Sequence, residues 1–300
     1  MGWASEVRLA VGSAALLGES PVWHPRENAL YYADIPGHKL QRFDPVSGDL
    51  RHWEFETDVA SLAPRLDGTL LLAMRDGLWI FDPSTGERQR VAEPPYDPAS
   101  ERFNDGKCDP QGRFWVGTLY EPRTPALASL NCYAKGQLTK RVDGLTVVNG
   151  LAWSPNGRTM HWSDTTTHTI FAADVDPTSG VLSRQRVFAR FPVKQAGQSL
   201  ASYGGRPDGA AMDAEGCYWV AMFEGQRLLR LSPEGEVVQD VALPVCCPTM
   251  PCFGGPGLTT LYLTTSRQNR PAAELVAQPW AGCVLALDVD VPGLPVNFAV

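Results

Sequence analysis

Glu19, Asn104, Asn149 and Asp208 each stand eight residues ahead of one position of a recurring turn, occupied in those units by Glu27, Gly112, Gly157 and Gly216. The two other units carry Ala60 ahead of Gly68 and Thr249 ahead of Gly257. Glu19, Asn149 and Asp208 together offer three oxygen ligands. Two carboxylates and an amide match a divalent ion in hardness and charge, and suit Ca²⁺, Mg²⁺ or Mn²⁺, with Zn²⁺ less typical. With water completing the shell, such an ion keeps positions open, polarises a carbonyl and acidifies bound water. Taken singly, each residue reads blandly. Asn149-Gly150 and Asp208-Gly209 are common turn dipeptides, and Glu19 suits a strand end. The shared offset in separate units is what turn statistics do not supply.

Those offsets need a repeating scaffold. Successive turn positions are separated by 41, 44, 45, 59 and 41 residues. Each turn is followed by a short apolar or aromatic run, such as Ala29-Leu30-Tyr31-Tyr32, Phe114-Trp115-Val116 or Tyr218-Trp219-Val220. A second strand pair then surrounds an Asp-Pro or Ser-Pro to Gly turn, as in 40–48, 78–86 and 228–235. Proline fixes φ and glycine supplies φ > 0 at such turns. A period in the forties with aromatic strand cores predicts an all-β, six-bladed β-propeller of four-stranded antiparallel blades, forming one domain over residues 1–300 around a central metal site. No segment of helical period competes. Either 5–11 or 293–300 is expected to complete the sixth blade and remove a free sheet edge. Extra length falls in 191–206, leading into Asp208, and in 120–125. Both are expected to border the pocket or to be plain surface insertions.

Composition excludes several classes. The chain has 26 Lys and Arg against 33 Asp and Glu, a net charge of −7, and no basic run. A nucleic-acid partner is therefore not expected. Its 28 glycines and 25 prolines among 300 residues exceed the usual share of roughly 12%, as many tight turns require. No window approaches the ~18 apolar residues of a membrane span. The N-terminus faintly resembles a signal peptide, but Gly12 and Ser13 break its apolar stretch, and 7–11 is read as a strand. Met1-Gly2 is not read as a lipidation signal, since Glu6 stands where Ser or Thr is needed. The seven cysteines are odd in number, match no zinc spacing and suit free thiols in a reducing compartment. A cytoplasmic location follows. Cys246, Cys247 and Cys252 have no accompanying His or Cys pair. The five histidines form no HxH or HExxH pair and are read as structural, and Asp164 as a strand-end acceptor. No Ser-His-Asp set and no phosphate-cradling glycine loop stands out.

The sequence resembles the senescence marker protein/gluconolactonase (regucalcin-like) family of sugar lactonases over nearly its whole length. The resemblance rests on Gly18-Glu19-Ser20-Pro21-Val22-Trp23, Arg102-Phe103-Asn104-Asp105-Gly106-Lys107, Asn149-Gly150-Leu151-Ala152-Trp153-Ser154-Pro155, Pro207-Asp208-Gly209 and Cys252-Phe253-Gly254-Gly255, in that order. It implies one divalent ion on Glu19, Asn149 and Asp208. The family varies in its metal, so Ca²⁺, Zn²⁺, Mn²⁺, Mg²⁺ and Fe²⁺ all stay open. It implies a small sugar lactone as substrate, contacted by Arg102 and Asn104, with Asn104 also near the metal and Asp208 as the base that activates water. Tyr120-Glu121 falls where some relatives place a substrate-facing loop. Glu121 is carried over as a substrate contact, although the local sequence departs from theirs.

Ring opening then follows ordinary chemistry: water activated by Asp208 attacks the lactone carbonyl, and the developing oxyanion is stabilised by the ion. A planar guanidinium at Arg102 suits vicinal hydroxyls; the competing reading is a salt bridge to a neighbouring carboxylate such as Asp105. Two other functions fit the same residues. One is calcium-dependent phosphotriester or fluorophosphate hydrolysis, and the other is a non-catalytic calcium-binding propeller.

Overall fold

The computed structural model describes residues 6–300; the reading of Met1-Gly2 lies outside them. Six four-stranded antiparallel sheets form the molecule. Their innermost strands are Gly18–His24, Val59–Pro64, Glu101–Cys108, Val148–Trp153, Arg206–Met212 and Pro248–Gly254, and these define blades 1 to 6. Each inner strand contacts the next, and that of blade 6 contacts that of blade 1, which closes the ring. The inner strands are buried along almost their whole length because each blade packs on both neighbours. They therefore read as continuous apolar or small-residue runs, whereas outer strands such as Leu182–Arg190 are largely exposed.

Blade 6 is closed by the N-terminal end of the chain. Its order is Arg8–Val11, Val284–Asp288, Thr260–Thr265, Pro248–Gly254, so the first strand is the outermost of the last sheet. Arg8 pairs in register with Ala286 and forms a two-pronged ion pair with Asp288, at 2.8 and 3.0 Å. The C-terminal segment takes no place in a blade. It crosses the far end of the ring, where Leu294 N–H donates to Met212 O, Ala299 N–H to Pro64 O and Val300 N–H to Gly112 O.

The turn glycines behave as their spacing predicts. Gly68, Gly112, Gly157, Gly216 and Gly257 all have φ between 67° and 89°. In blade 1 the left-handed residue is Asn28 (φ 49°), one position beyond Glu27, because asparagine tolerates that conformation and glutamate gains nothing from it. Glu27 instead binds the Tyr31 hydroxyl and Arg42.

No helix among the described residues is long enough to compete with the strands, as expected. A six-residue helix, Ala272–Ala277, lies in the connection 266–283 between the second and third strands of blade 6. Turn-to-turn spacing cannot register this insertion, since no further inner turn follows it. With 121–127 and 191–205 it makes three long connections on the face where the inner strands begin.

Candidate functional site

Glu19, Asn104, Asn149 and Asp208 all sit near the start of an inner strand, at the loop-bearing end of the ring. Just beyond each of them the strand takes one residue more than its partner. The register steps from Glu19↔Ala33 to Val22↔Tyr31, from Asn149↔Ser163 to Ala152↔His161, and from Pro207↔Met222 to Ala210↔Val220. All six inner strands carry this bulge. A bulge kinks the strand and re-aims the side chain beside it. Asn149-Gly150 and Asp208-Gly209 are therefore bulge residues inside strands, not turns. The glycines are there because of space. A Cβ at Gly150, whose φ is +64°, would lie 2.2 Å from the Tyr218 hydroxyl, and one at Gly209 would lie 2.4 Å from Met250 Cβ.

A hydrogen-bonded relay crosses three blades. Arg102 Nη1 donates to Asn104 Oδ1 (2.7 Å) and to Phe103 O (2.8 Å). Asn104 Nδ2 donates to Asn149 Oδ1 (2.6 Å) and to Val148 O (2.9 Å). Asn149 Nδ2 donates to Asp208 Oδ1 (2.6 Å) and to Thr165 Oγ1 (2.9 Å), and Thr165 in turn donates to Pro207 O. Each member of the relay is at most 9% exposed. Thr165 escapes sequence reading because it lies after a second strand, outside the repeated offset. Arg102 makes no ion pair with Asp105 among the described residues, so the competing reading of its role does not hold. The other two repeat positions are filled as small residues should be: Ala60 is buried, and Thr249 Oγ1 donates to Gly18 O at 2.6 Å.

The two carboxylates are under electrostatic stress. Burial, then the nearby charges of Asp208 and Asp105, push the Glu19 carboxyl well above the usual range, and Arg102 only partly opposes them. Burial likewise pushes Asp208 up to about 8, against relief from Arg206, Arg123 and Arg102. Asp105, one residue beyond Asn104, adds a third buried carboxyl. Its Oδ2 accepts the Leu151 N–H (3.0 Å) while its Oδ1 has no partner. Lys107, half-buried and two residues on, donates to Ala210 O at 2.8 Å. Asp105 follows the signal already noted at Asn104, but a single offset hides it.

The described residues hold no cluster of three or more His, Cys, Asp or Glu placed to bind a metal. The donor set at the ring mouth is instead two carboxylates and an amide oxygen. Crowded, buried and mutually repelling, it fits a hard divalent cation by charge and ligand type. Glu121 lies apart from the relay. It is exposed and bonds Arg75 Nη2 at 2.6 Å, and Arg75 is also paired with Asp58. All seven cysteines are unpaired, and Asp164 accepts the Thr146 and Val147 N–H groups as a strand-end residue should. His161 packs against Phe188 and Tyr218, and His168 bonds Tyr203, both structural roles. A cavity of about 520 Å³ lies at the opposite end of the ring, between the inner strands and 294–297, and touches none of the relay residues.

The SMP-30/gluconolactonase/LRE-like region family matches residues 17–267. The chain belongs to this family. It is 41% identical over 290 residues to 6-deoxy-6-sulfogluconolactonase of Pseudomonas putida, covering 96% of each chain. It is 32% identical to regucalcin of Xenopus laevis, covering 98% of each. Among solved structures it is similar to a calcium-binding protein, regucalcin, from Agrobacterium tumefaciens. The TM-score there is 0.91 at 26% identity, with 99% of this chain and 98% of the other covered. Luciferin-regenerating enzyme shares the fold, with a TM-score of 0.87 at 24% identity, covering 98% of this chain and 99% of that one.

Proposed function

We propose that this family member hydrolyses a sugar lactone to the aldonic acid with the help of one divalent ion held by Glu19, Asn149 and Asp208. The observation that carries the reading is the relay from Arg102 through Asn104 and Asn149 to Asp208, at the ring mouth of a chain 41% identical to a sugar lactonase. When bound, the ion supplies a Lewis acid and offsets the repulsion between the two carboxylates. Asp208, ionised, takes a proton from the attacking water. The water oxygen bonds to the acyl carbon, the ring C–O bond breaks, and the released ring oxygen takes up a proton as a hydroxyl group. Arg102 and Asn104 hold sugar hydroxyls; their mutual hydrogen bond fixes both before substrate arrives, so little entropy is lost on binding. Glu121 joins them from the rim. There, its bond to Arg75 must yield or be shared.

The whole of 1–300 acts as one domain in this reading. Seven unpaired thiols support a reducing, cytoplasmic setting, and no helix among the described residues is long and apolar enough to cross a membrane. The test is acid release from five- and six-carbon aldonolactones after chelation, with Ca²⁺, Mg²⁺, Mn²⁺, Zn²⁺ or Fe²⁺ restored in turn. Turnover that requires one of these ions is expected. Turnover untouched by chelation removes the ion from the reaction, and no turnover of any lactone removes the activity.

A further inference from the structure

A bulge takes backbone groups out of the strand ladder, and where they are buried they must bond elsewhere. The bulges of blades 4 and 5 fall between Asn149 and Ala152 and between Pro207 and Ala210. Side chains from neighbouring blades bond the backbone there. Asp105 Oδ2, from blade 3, accepts the Leu151 N–H at 3.0 Å. Lys107, two residues on in the same strand, reaches from blade 3 to blade 5 and donates to Ala210 O at 2.8 Å. The Tyr218 hydroxyl donates to Gly150 O at 2.6 Å, and Ser163 Oγ to Asp208 O at 3.1 Å. Asp105 lies in the bulge of its own strand, between Phe103 and Gly106, and is 3% exposed.

Leu151 stands two residues beyond Asn149, and Ala210 two beyond Asp208. Fixing these backbone groups therefore fixes where the two side chains point. Packing alone does not call for a carboxylate at Asp105. Its Oδ1 has no partner, and it makes no ion pair among the described residues. An apolar side chain would avoid the cost of burying that charge. What the carboxylate supplies is a directional, charge-assisted acceptor for one backbone N–H. Ligands of an ion must be held to within about 0.5 Å, which a bulge without such ties does not ensure.

We infer that Asp105 and Lys107 are positioning residues, struts from blade 3 that hold the bulges of blades 4 and 5 and through them aim Asn149 and Asp208 at one ion. The inference rests on the ion-dependent lactonase reading above and deepens it. Neither strut is assigned a contact with the sugar. Tyr218 fastens the blade 4 bulge from its other neighbour.

The experiment titrates Mn²⁺ into chelated protein by calorimetry and measures kcat and KM for glucono-1,5-lactone at saturating Mn²⁺, with the melting temperature of each variant. Asp105→Ala should raise the Mn²⁺ dissociation constant about tenfold and lower kcat about tenfold, with KM within about twofold, because aim is lost and not affinity for the sugar. Asp105→Asn keeps an acceptor for the Leu151 N–H and should recover most of both. Lys107→Met, which leaves Asp105 in place, should weaken Mn²⁺ binding about threefold; loss of a nearby cation would by charge alone tighten it. Variants that melt lower yet bind Mn²⁺ and turn over like the wild type make the struts structural only. Asp105→Asn as impaired as Asp105→Ala, or tighter Mn²⁺ binding in Lys107→Met, makes charge the cause and not aim. Each of these results overturns the inference and leaves the lactonase reading intact. A wild type that hydrolyses no lactone, with the expected order of Mn²⁺ affinities, overturns the lactonase reading and supports the struts. A wild type that takes up no ion overturns both.

Discussion

Asn149 Nδ2 donates to Asp208 Oδ1 at 2.6 Å, tying the inner strands of blades 4 and 5 together at the ring mouth. The bond also fixes which carboxylate oxygen is left to act. Asp208→Asn keeps an acceptor at Oδ1 and therefore the link. This variant should fold with an unchanged circular dichroism spectrum and melt near the wild-type temperature, while lactone hydrolysis falls by about 10²- to 10⁴-fold. Near wild-type turnover would show that Asp208 is not the base.

Glu19 and Asp208 make the stability of the ion-free protein depend on pH. Both carboxyls are raised in the folded state, Asp208 from an ordinary 3.8 to about 8. A raised carboxyl favours the protonated folded form. That contribution is complete below about pH 4 and is lost as pH rises through 8. Chelated protein should thus lose melting temperature between pH 5 and 8.5, and the increment from added Ca²⁺ or Mn²⁺ should grow over the same interval. Scanning calorimetry with and without ion checks it; an increment that shrinks with pH would contradict the buried-carboxylate account.

Gly150 and Gly48 separate crowding from backbone conformation. Both have positive φ, but a Cβ at Gly48 meets nothing within 4 Å, whereas one at Gly150 meets the Tyr218 hydroxyl at 2.2 Å. Gly48→Ala should cost about 1 kcal/mol. Gly150→Ala should cost about 3 kcal/mol or more and should weaken ion binding through its neighbour Asn149. Urea titrations of the two variants give the comparison, and similar losses in both would refute the crowding argument.

Removing residues 1–11 uncovers Val284–Asp288, a strand whose first four residues are buried. The bared sheet edge should associate edge to edge, seen as larger species in light scattering. A monomer with native melting would mean that the closing strand is dispensable.

The repeat was legible because its turns need residues with φ > 0, and five glycines mark them at nearly constant spacing. Asn104, Asn149 and Asp208 were legible because they share one offset from those turns, whereas Arg102 came only from the family resemblance. What stayed hidden has physical reasons. The bulges at Gly150 and Gly209 mimic turn dipeptides, since a bulge and a turn both demand small or left-handed residues. Thr165 comes from a connection that obeys no period, and so does the helix Ala272–Ala277. Glu121 was carried over from the family resemblance alone, and in the fold it stands exposed at the rim with its side chain bonded to Arg75.

Both described ends of the chain leave from the side away from Glu19 and Asp208: Arg8 lies beside Asp288, and Val300 bonds Gly112 in a far-end turn. A tag or surface anchor joined to either terminus would therefore hold the protein with its mouth facing solution. Immobilised enzyme should process small molecules as readily as free enzyme, whichever terminus is tethered.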